Sequence, residues 1–396
     1  MSKWVLQKAA EFCASVRDGT HDSPKSVEGG GKPLVTSKVV KQGVVRVEDA
    51  YLISEKDYRK INERSKVDRW DVLMTMIGTV GECAIVKDDP DYAIKNIALF
   101  KMAGDEEKSK WLYYYLTSPT GQGALRGNFR GSSQQYISLD QLRNLEVPVP
   151  EKDVRSRIVA ILSDYDSAID NARRQIALLE EAAMRLYREW FDGTGKGWKR
   201  TPVVLADVLE RLGTGLNPRK NFTLGHGENF YVTIKNMANN RVYLDSKCDK
   251  VDDEAIRKIN RRSDLRKGDV LFSGIGTIGR AYLIAEAPKN WNTSESVFNL
   301  RANSRITPEF LYMLMLSSKM QQYAMNNATG CAQKGIRAAA LRAYQFDLAP
   351  LIEIEKFTEQ VRPMLNAVND LNKKIDSLTE ARDRLLPKLM SGEIEV

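Results

Sequence analysis

Apolar residues between Glu151 and Phe191 fall at Val154, Ile158, Ile161, Tyr165, Ile169, Ala172, Ile176, Leu179, Ala183, Leu186 and Trp190, in steps of three and four. That spacing lines them along one stripe of a helix, and neither Gly nor Pro lies between Lys152 and Phe191 to interrupt it. A second stripe runs through Val361, Leu365, Val368, Leu371, Ile375, Leu378, Leu385 and Leu389. Stripes this narrow suit another helix better than a broad core, so the two segments predict an antiparallel coiled-coil pair. Pro363 falls opposite Asp164 when the helices are aligned, and Ser163 with Asp166 resembles a capping pair. A break is therefore expected in each helix, near Ser163 and near Arg362. Elsewhere the pattern is shorter. Val35 to Lys38 and Asp71 to Ile77 have the content of strands. Ser109 to Ser118 and Thr307 to Tyr323 read as helices, the second with Thr307 as N-cap and Pro308 at its first position.

The chain repeats itself. RDGTHDSPK (17–25) is matched by RLGTGLNPRK (211–220), LVTSK (34–38) by YVTIK (231–235), and YRKINERS (58–65) by IRKINRRS (256–263). DVLMTMIGTVG (71–81) is matched by DVLFSGIGTIG (269–279), WLYYYLTS (111–118) by FLYMLMLSS (310–318), and GSSQQYI (131–137) by GCAQKGI (330–336). The helices recur as well, Leu186 to Gly193 matching Leu385 to Gly392. The fold class that follows is α+β: two pseudo-repeated α/β domains joined by two long antiparallel helices, related by a pseudo-two-fold axis. The boundaries fall at 1–150 for domain one, 151–192 for helix one, 193–350 for domain two and 351–396 for helix two. Helix one leads through the Gly-rich DGTGKGW directly to Trp198, so by symmetry helix two should end near Trp4 and bring the chain ends together. Gly78, Gly81, Gly276 and Gly279 read as tight turns at positive φ rather than a phosphate cradle, because no P-loop Lys-Ser/Thr follows them.

Composition narrows the chemistry. A length of 396 residues suggests two or three domains, and a net charge of +8 permits a polyanionic partner. Cys13, Cys83, Cys248 and Cys331 form no CxxC pair and read as reduced thiols of a cytoplasmic protein. With only His21 and His226, histidine-based triads and multi-histidine metal sites are nearly excluded. No apolar run approaches the roughly 20 residues of a membrane span.

The doubled DVL…GTxG element, the YVTIKN run, the DGTHDSP turn and the two long helices resemble the specificity subunit of a type I restriction–modification system. The resemblance covers essentially the whole chain. It implies two target-recognition domains, each reading one half of a split DNA sequence. It implies helices that bind two adenine-methyltransferase subunits, with restriction subunits joining the assembly. No cofactor is expected on this chain; S-adenosylmethionine, ATP and Mg are implied for the partners. The copies differ at His21, with Leu216 in its place, and where SSQQ becomes CAQK.

The chain's own catalytic motifs are weak. Asn217-Pro218 is followed by Arg219 and fails the adenine-methyltransferase pattern. Asp91 with Glu106 and Lys108 matches a metal-nuclease pattern formally, but on a turn-like stretch with no equivalent in copy two. DNA-binding candidates are more numerous. Arg126, Asn128, Arg130, Ser132, Ser133, Gln134, Gln135 and Tyr136 form one polar loop, with Asn326, Asn327, Gln333, Lys334 and Arg337 as counterparts. Thr20, His21 and Lys25 form a first turn, with Thr214, Asn217, Arg219 and Lys220 opposite them. Lys38 and Lys235 end matching strands, the latter followed by Asn236. Arginine and lysine suit phosphates; asparagine and glutamine suit adenine edges. Leu162, Tyr165, Tyr187 and Trp190 are the partner-binding candidates on the helices. Competing readings are a specificity subunit whose methylase and nuclease share one partner chain, the nuclease just described, and a coiled-coil protein that does not bind DNA. On the preferred reading, Asp164 to Trp190 spans about 40 Å, slightly over one DNA turn, so helix length should set an unread spacer between half-sites.

Overall fold

The computed structural model describes residues 4–41, 43–131, 135–193, 197–330 and 333–396. The chain forms two compact units, Met1–Asn171 with Ile375–Val396, and Ala172–Lys374, so each long helix is shared between them.

In the first unit an antiparallel sheet runs in the order Ser15–Asp18, Ile97–Lys101, Val72–Thr75, Cys83–Ile85. A three-stranded sheet sets Lys32–Val35 between Tyr51–Ile53 and Ala93–Ile94, the last pair parallel. The second unit repeats both: Leu209–Thr214, Val297–Ala302, Val270–Ser273, Ala281–Leu283, and Asn229–Val232 between Asp249–Val251 and Trp291–Thr293. The strand expected over Val35 to Lys38 ends at Val35. The Thr36 hydroxyl accepts the N–H of Lys38, and Thr233 accepts that of Lys235, turning the chain out of the sheet. Lys38 and Lys235 thus sit in turns beyond the strands.

A buried carboxylate opens the DVL strand of each sheet. Asp71 meets Lys101 Nζ at 2.6 Å and accepts the Asp68 and Met102 N–H groups. Asp269 takes Arg301 Nε at 2.7 Å and the Arg266 N–H. Burial pushes the Asp71 carboxyl above its ordinary range, against the pull of Lys101 and the backbone donors.

Both long helices are unbroken, Lys152–Tyr187 and Leu351–Ser391, which corrects the expected breaks at Ser163 and Arg362. Pro363 lies on an exposed face together with Glu359, whose carbonyl it leaves without the usual helical N–H partner. Asp166 caps nothing: it accepts the Tyr114 hydroxyl and an Arg382 N–H, each at 2.7 Å, and Ser163 lies beside Tyr114. Every residue of both predicted stripes is buried or half-buried. In the first unit Ile158, Val159 and Leu162 share a core with Leu386, Leu389 and Met390; in the second, Ala183 and Tyr187 share one with Ile354, Phe357 and Val361. In each unit one helix therefore brings its early residues and the other its late ones, the antiparallel arrangement. The Trp4 ring lies against Gly392, 3.3 Å from where a Cβ would stand, so the chain ends meet as symmetry predicted. No described helix is long and apolar enough to cross a membrane.

Two substitutions test this account. Pro363→Ala restores a donor to the Glu359 carbonyl, and denaturant unfolding should show a gain of about 1–3 kcal/mol; a loss would mean the proline is needed for packing. Arg301→Ala strands a buried carboxylate and should cost about 3–5 kcal/mol in the same measurement. A cost below about 1 kcal/mol would show that the pair does not hold the sheet.

Candidate nucleic-acid interface

Register decides which loops meet. Asp18 pairs with Ala98, Ala98 with Met74 and Met74 with Cys83. The turn after Asp18, the connector before Ile97 and the IGTVG turn therefore leave the sheet at one end. The parallel pairing of Val35 with Ile94 brings residues 36–38 to that end too. The polar loop then seats on the turn: Gly78 N–H donates to Gln135 O at 3.1 Å, and Ile137 N–H to Met76 O at 3.0 Å. Domain two aligns Thr214, Phe298, Phe272 and Ala281 in the same way. There Gly276 N–H donates to Lys334 O, and Ile336 N–H to Gly274 O, each at 2.8 Å.

The frame is the same in both copies. Gly78, Gly81, Gly276 and Gly279 all have positive φ, as the turn reading required. Gln122 Nε2 donates to the carbonyls of Gly81 and Leu116, and Gln321 Nε2 to those of Gly279 and Met315. Arg64 Nη2 reaches Gly19 O at 3.1 Å and Arg262 Nε reaches Gly215 O at 3.0 Å. A Cβ on Gly19 would fall 2.3 Å from Ile94 O, and one on Gly215 only 1.6 Å from Thr293 O, so only glycine fits this crossing.

That crossing corrects the sequence alignment of the first turn. Val72 pairs with Phe100 and Val270 with Leu300, which makes Ala98 equivalent to Phe298 and hence Asp18 equivalent to Thr214. The RDGT and RLGT strings are offset by two residues in space. A two-residue slip keeps every side chain on its face, so matching strings could not reveal it. The structural counterpart of His21 is Asn217, not Leu216.

The candidates divide accordingly. His21, Lys25, Lys38, Arg126, Arg130, Gln135 and Tyr136 are exposed around the sheet end of domain one. In domain two Arg219, Lys220, Lys235, Gln333, Lys334 and Arg337 are exposed. Thr20 and Thr214 are half-buried at the strand exits. Ser132, Ser133 and Gln134 lie outside the described residues. Three candidates prove structural. Asn236 is buried and accepts the Thr233 N–H and hydroxyl. Asn128 and Asn327 donate to Ala124 O and Tyr323 O, closing the ends of their helices. Sequence reading missed Asn96, Glu295 and Arg280. Arg280 binds the Ile234 and Met237 carbonyls, tying the Lys235 turn to the IGTIG turn. Nothing in the local sequence marks these residues; the sheet register brings them in.

Two further expectations are corrected. Leu162, Tyr187 and Trp190 are buried within their own units and are not partner-facing: Leu162 and Tyr187 lie off the predicted stripe on a face that enters a domain core, and Trp190, at the end of the stripe, packs against Phe191 and Phe357. Tyr165 is half-buried on the helix stripe. The nuclease constellation does not assemble. Asp91 binds Lys32 and Tyr58, Glu106 pairs with Lys110 along its own helix, and Lys108 lies over the Phe12 ring. Among the described residues no cluster of three His, Cys, Asp or Glu could hold a metal.

Known proteins give the arrangement its context. The chain is 22% identical over 423 residues to the MjaIX specificity subunit of Methanocaldococcus jannaschii, covering 99% of this chain and 94% of that one. It is 20% identical over 372 residues to the MjaVIII specificity subunit of the same organism, covering 87% and 84%. The type I S subunit structure from M. genitalium shares the fold, with a TM-score of 0.57 at 14% identity over 98% of this chain and 96% of that one. A model of the type I restriction modification DNA specificity domain matches residues 1–181 and 196–379. The sheet ends thus belong to a DNA-recognition chain without catalysis of its own, and the protein is a member of the type I restriction–modification DNA specificity family.

Proposed function

We propose that each domain reads one half of a bipartite DNA target with its sheet end, and that the chain scaffolds two adenine-methyltransferase subunits and, through them, restriction subunits. The observation that carries the reading is the doubling of one frame with unlike side chains on it. Both domains deliver the first turn, the Thr36 or Thr233 turn, the GTxG turn and the polar loop to the same sheet end. The exposed lysines and arginines there contact phosphates and fix register, while the differing polar side chains read bases. S-adenosylmethionine, ATP and Mg belong to the partner subunits in this scheme. The unbroken helices act as the ruler for the unread spacer.

Two measurements test this. Lys235→Ala should weaken duplex binding about equally across sequences and lower the salt slope by about one; a change in preferred bases instead would make Lys235 a reader. Inserting a heptad after Ile176 and another after Ile375 keeps the helix stripes in register and adds about 10 Å, near three base pairs of rise. Target selection should then return a longer spacer with weaker binding, since three base pairs also turn the second half-site by roughly 100°. An unchanged spacer would show that the helices do not measure it.

A further inference from the structure

One place on the common frame is filled differently in the two domains. It is found by counting from the crossings at Gly19 and Gly215. Two residues beyond these glycines stand His21 and Asn217; two residues beyond the carbonyls they cross stand Asn96 and Glu295. In domain one His21 Nδ1 lies 2.8 Å from Asn96 Oδ1, and Nε2 lies 2.9 Å from Asp18 Oδ2. In domain two Asn217 Nδ2 donates to Glu295 Oε1 at 2.6 Å, and the Tyr231 hydroxyl, which donates to Leu216 O at 2.8 Å, stands 3.3 Å from Oε2. The same two loops are bridged by side chains in both copies, an imidazole and amide in one, an amide and carboxylate in the other.

Resting on the reading of the sheet end as the DNA interface, we propose that Glu295 is a specificity-determining residue that accepts a hydrogen bond from the N4 amino group of a cytosine in the domain-two half-site. Asn217 and Tyr231 are its positioning residues, and Asn96 holds the corresponding place toward the domain-one half-site. Glu295 is half-buried. A carboxylate only accepts, and after the Asn217 donor it still has lone pairs to offer. Burial, then the neighbouring Glu295, pushes the Tyr231 hydroxyl pKa up, so it stays protonated, donates to Leu216 O and adds no second charge beside the carboxylate. A negative charge facing DNA is repelled by phosphates unless it meets a donor, and in the major groove the amino groups of cytosine and adenine are those donors. The adenine N6 donor stands between two acceptors, its own N7 and thymine O4, which a pure acceptor faces unfavourably; cytosine N4 has one such neighbour, guanine O6. Arg219, Lys220 and Lys235 of the same domain are exposed.

The test uses the full chain in complex with its methyltransferase partners, selecting from duplexes randomised across both half-sites. The wild-type complex should return a split sequence with a cytosine at one position of one half. Glu295→Ala should relax that position roughly tenfold to hundredfold. Glu295→Gln should move it toward adenine, which a glutamine pairs through N6 and N7. Both should leave the other half-site unchanged, which also reports that the complex is folded. Asn96→Ala should relax a single position in that other half. Retention of the same bases by both Glu295 variants, with only a lower melting temperature, would overturn the proposal and leave Glu295 a brace. If alanine prevents folding, the near-isosteric glutamine variant decides alone. A wild-type complex that selects no split sequence would overturn the DNA reading itself, and this proposal with it.

Discussion

The buried carboxylate that opens each DVL strand is the constraint on which the rest of the architecture depends. Asp71 and Asp269 are almost fully out of water and are stable there only while Lys101 or Arg301 arrives from the neighbouring strand. A slip of one residue between those strands would separate the charges and turn every core residue outward. The pair therefore fixes the central register, and that register decides which loops leave the sheet together at the far end. A charge pair remote from the proposed interface is in this sense what assembles it.

The long helices meet two demands at once. One stripe of each packs along its partner; a second enters a domain core, where Tyr187 sits among Phe191, Phe310 and Phe357. Satisfying both needs more apolar residues than a two-helix seam alone. This is why Leu162 and Tyr187 are apolar although they lie off the seam: both are core residues. Polar ties reinforce the docking. Asn240 donates to Glu180, and Lys373 pairs with Glu286, both within the second unit. In the first unit Asp166 joins Tyr114 to Arg382.

Because one chain carries two copies of the frame, comparing them separates support from readout. Pinned glycines, glutamine clamps, arginine-to-carbonyl bonds and buried ion pairs recur with the same chemistry. Positions 21 and 217, 96 and 295, and 135 and 334 project from the frame and do not recur. Uniform support with varied projections is what two readers of different half-sites require, since phosphate geometry is common to all duplexes and base edges are not.

Much of this was written in the sequence. Helical periodicity gave both stripes, the doubled motifs gave the two domains and their order, and glycines in IGTVG and IGTIG gave the turns, because each of these depends on local geometry alone. The family resemblance was legible for the same reason, since its motifs are the frame. Tertiary structure decided the rest. Pro363 is tolerated because its face meets water, which no local rule could state. Asn236 and Asn128 are spent on backbone groups that only the folded chain brings near. The equivalence of His21 with Asn217, and the presence of Asn96 and Glu295 at the sheet end, follow from hydrogen-bond register between strands distant in sequence. A slip of two residues is silent in side-chain pattern, and only the crossing of a glycine over a particular carbonyl resolves it.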